Sequence, residues 1–172
     1  MSYYELILKR YYKREILYFQ ILDNNNIILA CSYYSYKYTV GDVKMFLYYR
    51  KTHGYKLKEC SYLSALYIMD GYEQEIVNPI EIKNYVDGKL TQLTVYQINK
   101  GEYVCINTKY LKKVFINGLK LFSRFRSPSK YSDISSVTHV YLVDENNNIK
   151  GIICPVRVIN ISKQIERVTK ND

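Results

Sequence analysis

Four short turn cues cut this chain into segments too brief to be anything but hairpin strands over much of its length. Two are Asn-rich, Asp23-Asn24-Asn25-Asn26 and Asp144-Glu145-Asn146-Asn147-Asn148, and two are Asp-Gly pairs, Asp70-Gly71 and Asp87-Gly88. Asp-Gly and Asn-rich turns tolerate the positive φ of tight hairpins, and apolar or β-branched runs flank each of them. Residues 15–22 and 27–31 read as one hairpin, 66–69 and 72–76 as a second (a helix across Ser61 to Met69 reads equally well from the same apolar run), 82–86 and 90–96 as a third, and Val137–Val143 with Ile149–Ile159 as a last. The Asn-rich pair share turn chemistry rather than an internal repeat. The fold class expected is therefore α+β, mainly antiparallel sheet with two or three helices.

Two helices carry local signals. Thr39-Val40-Gly41-Asp42 has the form of a capping box, with Val43, Phe46, Leu47 and Arg50 on one side and Gly54 as a stop. Asn107 caps a second helix, ended by Asn117-Gly118. Its apolar face is Tyr110, Leu111, Val114 and Phe115, with Lys109, Lys112 and Lys113 opposite. Leu119 to Arg126 then alternates as a strand, Lys120, Arg124 and Arg126 pointing away from Leu119, Leu121 and Phe125. The chain is expected to divide into a Tyr-rich, hairpin-rich half (1–100), a basic β-α-β-hairpin half (101–160) and a charged tail (161–172).

Charge and aromatic content bear on function. Among 172 residues, 25 Lys+Arg face 16 Asp+Glu, a net +9. Residues 101–172 hold +6 of this, and from Lys109 to Lys130 run seven cations with no acid: Lys109, Lys112, Lys113, Lys120, Arg124, Arg126 and Lys130. Like charges set side by side repel unless an anion lies between them, and phosphate is the commonest such anion. A second acid-free run spans Lys44 to Lys58. Tyrosine is over-represented at 21 residues, with no Trp. Tyr48-Tyr49-Arg50-Lys51 sets rings beside cations, a pairing used both for stacking on nucleic-acid bases and for protein contacts.

No catalytic pattern is present. His53 and His139 stand without spaced nucleophiles, the acids Asp70, Glu73, Glu75, Glu81 and Asp87 show no metal-ligand spacing, and no glycine-rich phosphate loop occurs. Cys31, Cys60, Cys105 and Cys154 lie in apolar runs without Cys-x-x-Cys spacing and read as small buried thiols in a reducing compartment. No cofactor is expected. No run approaches the ~18 apolar residues of a membrane span, and no basic-then-apolar leader opens the chain, so a cytoplasmic placement without membrane contact is expected.

Residues 103–159 resemble the last domain of bacterial sliding clamps, the processivity subunit of the replicative polymerase. The stretches that carry this are Val104-Cys105-Ile106-Asn107-Thr108-Lys109-Tyr110-Leu111 and Ile152-Ile153-Cys154-Pro155-Val156-Arg157-Val158. The resemblance implies a clamp-like module with Lys109, Lys112 and Lys113 facing DNA and an apolar groove able to take a peptide. The chain departs from the family in being basic and in having a first hundred residues that fit no second module. The function expected is non-enzymatic: binding nucleic acid or a nucleic-acid-bearing complex, in the style of a phage or mobile-element inhibitor of a host defence nuclease. The alternative is a protein-interaction or dimerisation module using its Tyr-rich surface.

Overall fold

The computed structural model describes residues 1–126 and 136–170, the side chains of 124–126 and 136–138 excepted. In chain order the elements are α1 (Tyr3–Leu8), β1 (Ile16–Ile21), β2 (Asn26–Ala30), β3 (Tyr34–Thr39), α2 (Val43–Thr52) and β4 (Lys56–Glu59). A 3-10 turn at Leu63–Leu66 follows, then β5 (Gln74–Glu75), β6 (Ile80–Val86), β7 (Lys89–Asn99) and β8 (Glu102–Asn107). The chain continues through α3 (Thr108–Val114), β9 (Lys120–Arg126), β10 (Ser136–Val143), β11 (Ile149–Ile153) and α4 (Ile161–Thr169). Eight strands form one sheet in the order β4-β1-β2-β3-β11-β10-β9-β5, and three form a second in the order β6-β7-β8. The β1–β4 ladder is parallel; β1–β2, β2–β3, β5–β9, β9–β10, β6–β7 and β7–β8 are antiparallel. The fold is α+β and mainly antiparallel, with four α-helices among the described residues where two or three were expected.

Two compact units emerge, and both are discontinuous: residues 1–68 with 149–152, and residues 69–148 with 153–172. In the first, β2 is buried on both faces because each face is roofed by a different segment. One face carries Tyr38 and Tyr36 of β3 in register with Ile27 and Leu29, and Tyr34, whose carbonyl accepts from Cys31 N–H, beyond them. Tyr11 lies on it, its ring stacked on Tyr34 with centroids 5.4 Å apart and its hydroxyl donating to the Leu29 carbonyl at 3.2 Å. Tyr34 donates in turn to the Arg10 carbonyl. The other face takes the 3-10 turn, held by two bonds to one side chain: Gln20 Nε2 donates to Ser64 Oγ at 3.0 Å, and Ser64 N–H donates to Gln20 Oε1 at 2.7 Å. Much of the tyrosine excess is thus core. Tyr11, Tyr34, Tyr36, Tyr38, Tyr55 and Tyr67 are all buried in this unit.

Three local expectations fail here for identifiable reasons. Thr39 does not cap α2. It ends β3, and its hydroxyl donates to Asn26 Oδ1 at 2.7 Å across the ladder. The cap is Asp42, which accepts from Met45 N–H at 3.0 Å. Asp70-Gly71 makes no hairpin: Glu73 accepts from the N–H groups of Asp70 and Gly71, Asp70 accepts from that of Tyr72, and only Gln74–Glu75 pairs, with β9. Cys154 is exposed, so not every thiol is buried.

In the second unit β6, β7 and β8 form a meander. Asp87-Gly88 closes its first turn, both residues at positive φ (49° and 74°), the geometry of a type I′ turn. One face packs Ile82, Leu93, Val95 and Cys105 against Ile165 of α4, so the expected tail is a docked helix. Strand β11 stops at Ile153 rather than at Ile159, and beyond it Val156 donates its N–H to the Cys105 carbonyl at 2.7 Å. The opposite face carries Thr94, whose hydroxyl meets that of Thr108 on α3 at 2.8 Å, both residues being buried. β9 continues with Leu121 and Ser123 buried and Lys120 exposed.

Candidate nucleic-acid interface

The helix α3 begins where Asn107 Oδ1 accepts the Lys109 N–H at 3.0 Å. Thr108, Leu111 and Val114 are buried, which turns the i, i+3, i+4 set Lys109, Lys112 and Lys113 to the other side; Lys109 and Lys112 are exposed and Lys113 is half-buried. The apolar face is narrower than expected: Tyr110 is half-buried and Phe115, beyond the last helical residue, is exposed. Lys112 and Lys113 stand in the last turn, where the helix dipole favours cations; Lys109 in the first turn has no such support.

Lys120 projects from β9 and pairs with Glu75 of β5, Nζ to Oε2 3.5 Å, both side chains well exposed. A pair of this kind is worth little and leaves most of the lysine in water. Arg124 and Arg126 belong to β9 by their backbone, paired at Arg126 with Ser136 of β10, but their side chains lie outside the described residues, as does Lys130 altogether.

The second predicted set sits on α2. Tyr48 is exposed at 66% and Lys51 is exposed. Tyr49 and Arg50 are engaged inside the unit. Tyr49 accepts from Ser2 Oγ at 3.2 Å, stacks on His53 at 3.9 Å with planes 16° apart, and meets Tyr4 edge-on at 5.5 Å. Arg50 Nη1 donates to the Tyr55 carbonyl at 3.0 Å, and burial lowers the pKa of its guanidinium.

Sequence reasoning missed α1, and with it a small cavity of about 130 Å³ lined by Glu5, Lys9, Lys13, Tyr49, His53 and Tyr55. The signal was present: Ser2-x-x-Glu5 is a capping box, and Ser2 Oγ accepts the Glu5 N–H at 3.2 Å. Lys9 pairs with Glu5 at 3.2 Å, and Lys13 stands 5.5 Å from the Tyr55 ring centroid. Lys9 is the C-cap of α1 and His53 that of α2, so these cations and the last-turn Arg50 and Lys51 gather at two helix carboxyl ends. That placement explains them without a bound anion, since negative helix ends attract cations and repel phosphate.

Divided by folded unit, the charge runs opposite to its division by linear halves. The first unit holds eleven Lys+Arg and five Asp+Glu, +6, and the second fourteen and eleven, +3. Asp70 to Asp87 fold with the second unit, while several first-unit cations are spent internally: Arg10 lies 5.8 Å from the Tyr38 ring and Lys37 4.3 Å from that of Tyr67. Among the described residues no group of three or more His, Cys, Asp or Glu could hold a metal ion, and no helix is long and apolar enough to cross a membrane. No family model, no curated protein and no solved structure matches the chain.

Proposed function

We propose that this protein binds nucleic acid, free or within a nucleic-acid-bearing complex, through the lysine side of α3 and Lys120 of β9, and that it does so without chemistry of its own. The observation that carries the reading is the fixed orientation of α3. Burial of Thr108, Leu111 and Val114 holds Lys109, Lys112 and Lys113 together on the opposite side. A phosphodiester backbone laid along that side meets three ammonium groups at once and releases its own counterions as it does so. The sequence resemblance of Val104–Leu111 and Ile152–Val158 to the last domain of sliding clamps, taken as part of this proposal, implies the same assignment. The test is binding of labelled DNA and RNA oligonucleotides over a salt series. Affinity is expected to fall steeply with salt, and Lys109→Glu with Lys112→Glu to abolish it; each neutralised lysine should lower the salt slope by about one. Binding that ignores salt, or that survives the double reversal, overturns the proposal. An affinity pulldown from the native host, with and without nuclease treatment, then separates free nucleic acid from a complex such as a defence nuclease.

A second reading, a protein-contact face on α2, rests on one observation. Met45 and Tyr48 stand one turn apart, 56% and 66% exposed, while their neighbour Phe46 is fully buried. Loss of a partner on Tyr48→Ala, with little effect of salt, would favour it.

A further inference from the structure

We propose that two copies of this chain associate through the open edge of β6, in antiparallel register centred on Ile82. Among the described residues β6 ends the three-stranded sheet: it is hydrogen-bonded to β7 on one side and to no strand on the other. Natural sheets rarely leave such an edge bare, because its unpaired N–H and C=O groups template further pairing.

The side chains single out the occupant. Glu81 and Lys83 are both exposed, on the same face of the strand and two residues apart. Glu81 accepts from Gln92 Nε2 at 2.6 Å and from Thr94 Oγ1 at 3.0 Å, neutral donors that hold the carboxylate in place and leave its charge uncompensated. Lys83 faces Gln92 across the β7 ladder and meets no carboxylate there. When Ile82 lies opposite Ile82 of a second copy, Glu81 of each chain stands directly across from Lys83 of the other, twice by symmetry, and opposite charges in direct cross-strand positions attract. On the core face Ile80 meets Asn84, and the two Ile82 side chains meet at the axis. At the rim Tyr85, 70% exposed, comes opposite Pro79, whose missing N–H ends the ladder.

Neighbouring registers fail. A slip of one residue pairs Lys83 with Ile82, so that the ammonium side of one strand continues the core side of the other. A slip of two centres the pairing on Lys83 and places two ammonium groups face to face. Only the Ile82 register satisfies both charges. The result is a six-stranded sheet with both α3 helices on one face, since paired residues in an antiparallel ladder project to the same side.

The experiment is sedimentation or light scattering on the full chain up to the highest concentration it tolerates, with circular dichroism confirming the fold of each variant. Wild type is expected to dimerise. Glu81→Lys and Lys83→Glu should each be monomeric, since each sets like charges across the axis. An equimolar mixture of the two variants should recover a heterodimer, because the lysine pair of one then faces the glutamate pair of the other. A monomeric wild type, single variants that dimerise as well as wild type, or folded variants that fail to associate on mixing would each overturn the proposal. Dimerisation is read here without nucleic acid, and Lys83→Glu leaves untouched the bonds that join Glu81 through Thr94 to Thr108 of α3.

Discussion

Lys37 holds its ammonium 4.3 Å from the centroid of the Tyr67 ring. The same ring donates its hydroxyl to Ser35 Oγ at 2.8 Å, so one tyrosine covers two successive same-face positions of β3. Tyr67→Ala is therefore expected to cost about 3 kcal/mol, the usual scale for removing a buried aromatic. Tyr67→Phe keeps the ring and should cost about 1 kcal/mol. Urea unfolding monitored by far-ultraviolet circular dichroism distinguishes the two; equal losses would mean the ring packs nothing.

At the turn between β6 and β7, Gly88 has φ of 74° and an added Cβ would meet no atom within 4 Å. The cost of Gly88→Ala is then purely conformational, about 1 kcal/mol, because an L residue resists the left-handed region. Thermal melts should show this drop, and the pairing of Ile82 with Leu93 should persist in cross-strand nuclear Overhauser contacts.

Ser123 is fully buried in β9, and its hydroxyl has no hydrogen-bond partner among the described residues. A polar group stripped of water without a replacement bond destabilises the fold. Ser123→Ala should accordingly raise stability by about 1 kcal/mol in denaturant titration. A loss of that size would show that the hydroxyl is satisfied after all.

High pH should unfold the first unit through its tyrosines. Burial pushes Tyr38 up to about 12, and burial, followed by the neighbouring Tyr38, raises Tyr11 well above the usual phenol value of 10.0. A folded-state pKa above the unfolded one gives stability that is complete below about pH 10 and lost as pH rises toward 12. Phenolate absorbance from the buried set, Tyr11 and Tyr38 among it, is expected to rise together with loss of tertiary signal. A single smooth titration of all rings would contradict the packing of Tyr11 on Tyr34.

The parts legible in the sequence are those where one local signal had no competitor. Asp87-Gly88 lies between two alternating runs, and the hairpin forms there in register from Ile80–Val95 to Val86–Lys89. Asn107 had a capping role and an amphipathic run behind it, so the lysine side of α3 could be read in advance. Thr39 was misleading because its spacing to Asp42 imitates a capping box, while Asn26, thirteen residues earlier, claims its hydroxyl. The fate of Tyr49 depended on Ser2, forty-seven residues away, and that of Arg10 on Tyr38; no window of local sequence contains both partners. Short-range patterns cannot tell a ring that stacks in a core from one that waits on a surface.

The assignment of residues 149–152 to the first unit carries a consequence for biosynthesis. The strand that sits beside β3 is made long after it, so a ribosome must emit the intervening polypeptide before that unit can be finished. Until then β3 is an open border on the nascent chain, rich in tyrosine and accessible to whatever else is nearby. A message truncated before Ile149 would therefore damage a part of the protein encoded well upstream of the break.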